Sequence, residues 1–295
     1  MQIGLPGTGR MGAAIVRRLI DSGHQLTVWN RTADKLKPLI DAGAKAAASP
    51  KELAEKSEMV ITILSNAEAI DALFEGPNGF LAGNLKGKLF IEMSTVRPEI
   101  EIALDKKLRA AGAALIECPV GGTVGPARDG KLLGFVGGED ADVARARAVL
   151  EQMCRRVEHV GKIGAGASMK LAINLPLLVY WQALSEALSL IEPLKLDPAR
   201  VMDILADTSG GPNMLKNRAP AIAKVLKGED IGPPTMDINL MCKDMRAMID
   251  EAKSLGRPLP VTQRAMEMFA DAAGHGQGEV DAIKFPAYWL SRPKQ

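Results

Sequence analysis

The sequence predicts an α/β protein: a doubly wound, mostly parallel sheet over residues 1–160, followed by an all-helical domain over residues 161–295. Three observations carry this prediction. Strand-like and helix-like stretches alternate as far as Val160, a glycine-rich turn follows the first strand, and from Ser168 onward apolar residues recur every three to four positions with no further strand pattern.

The first strand is Gln2 to Pro6. It runs into Gly7-Thr8-Gly9-Arg10-Met11-Gly12 and then a helix with Ile15, Val16, Leu19 and Ile20 on one face. Alone, G-x-G-x-x-G is weak evidence. Between a strand and a helix it reads as a dinucleotide turn: the first glycine turns the chain, the second admits a pyrophosphate, the third lets helix meet strand, and the helix N-terminus supplies amide donors. The second strand, Leu26 to Trp29, ends in Asn30-Arg31-Thr32, where an acid would grip the 2′-hydroxyl of NAD. With no carboxylate to repel a 2′-phosphate and Arg31 able to pair with it, the end of this strand favours NADP, NAD remaining possible.

The alternation continues through a weak strand at Lys45 to Ala47, a helix from Pro50 to Lys56 and the strand Met59 to Leu64. Leu64, Ser65 and Asn66 follow at that strand's carboxyl end, where open α/β sheets place ligands. The strand Leu89 to Met93 ends likewise in Ser94-Thr95. A helix from Pro98 to Ala111 and the strand Ala114 to Pro119 lead into Val120-Gly121-Gly122-Thr123, whose backbone amides are candidates for holding an anion.

At Gly161 to Asn174 the pattern changes. Ser168 is a candidate helix cap, and the period from Leu171 through Leu175, Leu178, Leu184, Leu188 and Ile191 predicts a long helix to about Glu192, kinked at Pro176. Lys170 and Asn174, four apart, share one face of it. Further helices are expected over Pro198 to Ala206, Ala219 to Leu226, Asp237 to Ser254, Pro260 to Ala273 and Glu279 to Leu290. Leu240, Met241, Met245, Met248 and Ile249 read as a core stripe beside Lys243-Asp244.

The motifs in this order resemble the β-hydroxyacid dehydrogenase family, which includes 3-hydroxyisobutyrate, tartronate semialdehyde and γ-hydroxybutyrate enzymes. The family's first motif matches Gly7 to Gly12. Its D-x-P-V-S-G-G-x-x-G-A-x-x-G-x-L motif matches Glu117 to Leu132, and its G-x-G-x-x-x-K-x-x-N motif matches Gly164 to Asn174 with one extra spacer after the lysine. Its late K-D matches Lys243-Asp244. The resemblance spans the chain and implies a Rossmann domain followed by a helical domain of the 6-phosphogluconate dehydrogenase type. It implies Lys170 as general acid/base, Asn174 beside it, Gly121, Gly122 and Thr123 at the substrate, and Lys243 toward the cofactor or the substrate's anionic group. Gly121 departs from the family's serine, and P-V-G-x-T is similar to sulfolactaldehyde reductases, which leaves a sulfonate or a bulkier carbonyl open. Thr27 to Thr32 also resembles imine reductases, although those usually carry Asp or Tyr at the position of Lys170. A dinucleotide-binding sensor without turnover is the alternative from another class.

Composition sets outer bounds. With 47% hydrophobic and 24% charged residues and a net charge of +2, the chain is ordinary for a globular protein and lacks the basic stripe of a nucleic-acid binder. Cys118, Cys154 and Cys242 are widely spaced and odd in number, which fits a reducing, cytoplasmic setting and suggests no metal site. The apolar runs are broken by Pro176, Gln182 or Glu186, so no membrane span is expected. The expected partners are a small-molecule substrate and further copies of the chain, as a homodimer or homotetramer.

Overall fold

The computed structural model describes residues 1–292 and divides into two compact units, Met1–Leu171 and Ala172–Gln295. The division falls inside a helix, eleven residues beyond the expected boundary before Gly161. The helix that opens the second kind of sequence therefore has its first two turns in the first unit.

In the first unit the strands are β1 (Gln2–Pro6), β2 (Gln25–Trp29), β3 (Lys45–Ala46), β4 (Met59–Thr62), β5 (Leu89–Glu92), β6 (Ala114–Glu117), β7 (Val120–Gly121), β8 (Leu132–Gly137) and β9 (Cys154–Gly161). The helices are α1 (Arg10–Asp21), α2 (Lys37–Ile40), α3 (Pro50–Glu55), α4 (Ala67–Glu75), α5 (Pro98–Ala110), α6 (Val124–Arg128) and α7 (Asp140–Met153), with α8 (Ala165–Ile191) leaving it. β3, β2, β1, β4, β5 and β6 pair in parallel in that order. The chain winds outward from β1 in one direction and then from β4 in the other, so the switch point lies between β1 and β4, where such sheets bind ligands. β6 and β7 pair antiparallel with β8 in one register (Glu117 with Gly137, Val120 with Gly134, Gly121 with Leu133), and β9 runs parallel along its other edge.

Alternation along the strands builds two cores. Ile3, Leu5, Ile61, Ile91 and Ile116 face α1 and α7, joining Ile15, Leu19, Val143 and Leu150. Val60, Phe90 and Leu115 face the other way, toward Leu53, Phe74, Phe80, Leu104 and Leu108. There Phe74, Phe80 and Phe90 contact one another edge-on or tilted, with centroids 4.9 to 5.6 Å apart.

The second unit continues α8 and adds α9 (Pro198–Ala206), α10 (Asn213–Leu226), α11 (Ile238–Ser254), α12 (Pro260–Ala272) and α13 (Phe285–Ser291). Among the described residues its only strand-type pairing is an isolated bridge between Asp237 and Asp281. Met241, Met245 and Met248 are buried as expected, while Leu240 and Ile249 are only partly so. By length and composition α8 could span a bilayer. Its buried Lys170, Asn174, Gln182 and Ser185 are those of a helix packed in protein.

Several details differ from expectation. α8 begins at Ala165, so Ser168 is no cap; it lies within the first turn and its hydroxyl donates back to the Gly164 carbonyl at 2.8 Å. α8 and α10 run through Pro176 and Pro220. Each proline is exposed, as are Ala172 and Lys216, whose carbonyls lose their helical donors on the solvent side. α10 therefore starts six residues earlier than expected. The final segment splits into a 3₁₀ turn (Ala282–Lys284) and the short α13.

Candidate active site

The glycine turn is shaped by contacts that leave little choice of residue. Gly7 has φ +75°, and a Cβ there would lie 2.7 Å from Leu64 Cδ2. A Cβ at Gly12 would lie 2.3 Å from the Gly7 carbonyl oxygen, so any side chain would push α1 off the strand. Gly9 is different. It stands at the N-cap of α1 with no side-chain cap, and a Cβ there would meet nothing within 4 Å. Open space thus lies before the helix N-terminus, where Arg10, Met11 and Gly12 begin the first turn. Thr8 is buried with its hydroxyl lacking a hydrogen-bond partner. An open cradle at a helix N-terminus and an orphaned buried hydroxyl together fit a dinucleotide diphosphate.

Asn30 ties this turn to the end of β2. Its Oδ1 accepts from the Thr8 amide at 3.3 Å and its Nδ2 donates to the Thr32 carbonyl at 2.9 Å. Asn30 is therefore a latch within the chain, and Arg31 and Thr32 beside it at the end of β2 are exposed.

At the ends of β4 and β5 the candidates divide in the same way. Asn66 caps α4 by accepting from the Ala69 amide at 3.0 Å, and the Leu64 amide donates to Ser94 Oγ at 2.7 Å. Ser65 is exposed, its hydroxyl 3.4 Å from Asn66 Oδ1, and Thr95 is half-buried. Ser94 is held from below by Glu92, whose Oε2 accepts from the Ser94 amide at 2.8 Å and whose Oε1 accepts from its hydroxyl. Gly7, Leu64, Asn30 and Ser94 are thereby gathered along the carboxyl edge of the sheet at its switch point.

In the loop after β6, the three anion candidates are not equivalent. The Phe135 amide donates to the Pro119 carbonyl, so by antiparallel alternation the next hydrogen-bonded pair is Gly121 with Leu133. The Gly121 amide belongs to the ladder and is not offered to a ligand. Gly122 follows with φ +130°, and Thr123 stands at the N-cap position of α6 without capping it through its hydroxyl. A Cβ at Gly121 would sit at ordinary contact distance, 3.5 Å from Leu133 Cβ.

Lys170 and Asn174 are 9% and 7% exposed. They belong to a buried stripe along α8 that includes Ala167, Leu171, Leu178, Trp181, Ser185 and Leu188. A solvated lysine on the outer face of an amphipathic helix is thus excluded. A cation and an amide one turn apart sit where the helix otherwise places apolar groups. In the second unit Lys243 is half-buried and pairs with the buried carboxylate of Asp244 at 2.7 Å.

Sequence reading missed a group of buried acids. The Glu117 carboxylate accepts three amides at the start of α8: Gly164 (2.5 Å) and Gly166 (2.9 Å) on Oε1, and Ala167 (3.0 Å) on Oε2. Burial pushes its pKa up to about 7 against the lowering effect of those bonds. Glu92 and Glu101 are also buried and raised, both chiefly by burial, Glu101 well above the carboxylate range and further by the charge of Glu92. Neither Glu101 oxygen has a donor among the described residues. A proton retained on Glu101 turns its contact with Glu92 into a hydrogen bond. The available signal was an acid closing two apolar strands, LFIE and ALIE.

Two family profiles cover most of the chain: one described as the NAD binding domain of 6-phosphogluconate dehydrogenase matches residues 2–161. The other, described as NAD-binding of NADP-dependent 3-hydroxyisobutyrate dehydrogenase, matches residues 164–286. The chain is 31% identical to glyoxylate/succinic semialdehyde reductase 1 of Arabidopsis thaliana, over 97% of this chain and 99% of that one. It is 33% identical to 3-sulfolactaldehyde reductase of Escherichia coli, over 93% and 91% respectively. Among solved structures, a 3-hydroxyisobutyrate dehydrogenase from Salmonella typhimurium has the same fold, with a TM-score of 0.86 at 24% identity over 98% of this chain and 99% of that one.

Proposed function

Since the chain belongs to the β-hydroxyacid dehydrogenase family, an NAD(P)-binding group of oxidoreductases, we propose that it is an NADP-preferring enzyme. It interconverts a small carbonyl compound and its alcohol, the substrate bearing an anionic group. The observation that carries this is the burial of Lys170 and Asn174 together on one stripe of α8. When bound, the nicotinamide supplies or accepts the hydride at the carbonyl carbon. Lys170 Nζ gives a proton to the carbonyl oxygen on reduction and takes it back on oxidation, while Asn174 Nδ2 donates a hydrogen bond to that oxygen. Thr8, the Gly9 turn and the first amides of α1 hold the diphosphate, and Arg31 with Thr32 meets the 2′-phosphate. Ser65 and Thr95 bound the nicotinamide half. Gly122 and Thr123 hold the anionic end, Gly121 supplying only the ladder beneath them. Lys243 is assigned on the family's K-D motif alone.

The anion is a carboxylate or a sulfonate. Similarity to a 3-sulfolactaldehyde reductase and glycine at position 121 support keeping the sulfonate. An imine reductase is disfavoured by Lys170, and a sensor without turnover has no use for a buried proton donor beside an amide. The test is NADPH oxidation across aldehydes, α-keto acids, sulfonate aldehydes and cyclic imines. Turnover confined to imines, or none with any carbonyl, overturns the proposal. The three free thiols support a cytoplasmic setting. Exposed Ile173, Leu190 and Leu194 support a homodimer or homotetramer, which light scattering checks.

A further inference from the structure

Glu117 is buried at the end of β6 and is remote in sequence from α8, yet its carboxylate binds three amides of that helix's start. Those amides are among the donors that a helix leaves without internal partners. Gly164, just before the helix, has φ +97°. A Cβ at Gly166 would lie 2.4 Å from the Phe135 carbonyl and 3.2 Å from Glu117 Cδ. The two glycines therefore let the helix end come down onto β8 and the carboxylate. Their spacing belongs to this seat, not to a second phosphate turn. Lys170 follows Ala167 by three residues and Gly166 by four, so it stands one turn above the seat, on the same side of the helix.

We propose that Glu117 is a positioning residue: its ionised carboxylate pins the first turn of α8 to the sheet and thereby fixes the direction from which Lys170 presents its ammonium group. This rests on the reading of Lys170 as the proton donor. A carboxylate suits the task because two acceptor oxygens serve three amides, and a carboxamide cannot do the same. A glutamine at this position would turn an NH₂ group toward an amide N–H and keep only the Oε1 bonds.

The charge has a cost, since Glu92 lies opposite on β5 and Glu101 above on α5, both acidic and buried. The neighbouring Cys118 thiol, pushed up by its contact with Cys154 and by burial, is pushed up further by the charge of Glu117. The seat keeps a group that is expensive to ionise at the place where a helix must be held in register.

The experiment compares wild type, Glu117→Gln and Glu117→Asp at pH 8. In Glu117→Gln, kcat for NADPH-dependent reduction falls tenfold or more, KM for NADPH stays within about twofold, and Tm is retained, because the buried charge is gone. Hydrogen exchange of the 164–167 amides speeds up while that of β1 and β4 does not. Glu117→Asp recovers part of kcat. An unchanged kcat, unchanged exchange at 164–167, or kcat and Tm falling together would overturn the proposal. Exchange is read without turnover. If Lys170→Ala proves fully active, the functional reading fails while the exchange result still judges the seat.

Discussion

Glu92 and Glu117 occupy paired positions on neighbouring strands β5 and β6, and both are fully buried. Two carboxylates directly opposite in a sheet repel, and burial adds a desolvation cost, so the pair with Glu101 holds fewer charges than carboxyl groups. Each acid nonetheless organises one part of the carboxyl edge. Glu92 fixes Ser94, which in turn receives the Leu64 amide, and Glu117 receives the start of α8. The candidate site rests on this acidic floor.

That floor sets a pH dependence of stability. The folded pKa of Glu117, about 7, exceeds the ordinary 4.5. A carboxyl raised in this way favours the fold while protonated: its contribution is fully present below about pH 4.5 and is lost as pH rises through about 7. The shift corresponds to about 3 kcal/mol. Urea unfolding from pH 4.5 to 8 should therefore show wild type losing stability relative to Glu117→Gln by an amount of that order. A constant difference between the two would contradict the raised pKa.

Arg31→Asp should move cofactor preference toward NADH. Under the NADP assignment proposed above, the change removes a charge-assisted contact with the 2′-phosphate, worth about 1.5–3 kcal/mol or roughly 10- to 100-fold in affinity, and adds an acceptor for a 2′-hydroxyl. Fluorescence titration with both reduced cofactors checks this. NADPH binding as tight as wild type would remove Arg31 from the adenosine end.

Gly121→Ser should shift turnover toward simple 3-hydroxycarboxylates. The new Cβ meets only ordinary contacts at Leu133 and Phe135, so the loop can keep its path and gain a hydroxyl. The ratio of kcat/KM between a 3-hydroxycarboxylate and a sulfonate substrate is the readout. An unchanged ratio would show that position 121 does not select the anion.

Much of the fold was legible because its signals are local. Gly7 to Gly12 lies between a strand and a helix, and the period from Leu171 to Ile191 is unmistakably helical. Helix ends were less legible: Ser168 resembles a cap, but the cap of α8 is a carboxylate from position 117. No reading of adjacent residues could supply a partner almost fifty positions away. The site shows the same limit. The burial of Lys170 and Asn174 depends on packing around α8, the role of Asn30 as a latch on Thr8 depends on a bond between separate turns, and the Gly121 amide is taken by a strand pairing that glycine content disguises. Glu92 and Glu101 escaped notice because buried acids are rare and look like surface residues in sequence.

The most direct test of the account is the rate of NADPH oxidation by Lys170→Ala with the best carbonyl substrate from the panel, measured beside Asn174→Ala and with NADPH binding followed separately. A positioned acid/base is worth roughly 10²–10⁴-fold in rate. Lys170→Ala should lose at least that much in kcat with NADPH affinity nearly intact, and Asn174→Ala should lose less. Near-native turnover in Lys170→Ala would contradict the assignment of the proton to this lysine and turn the search to Lys243.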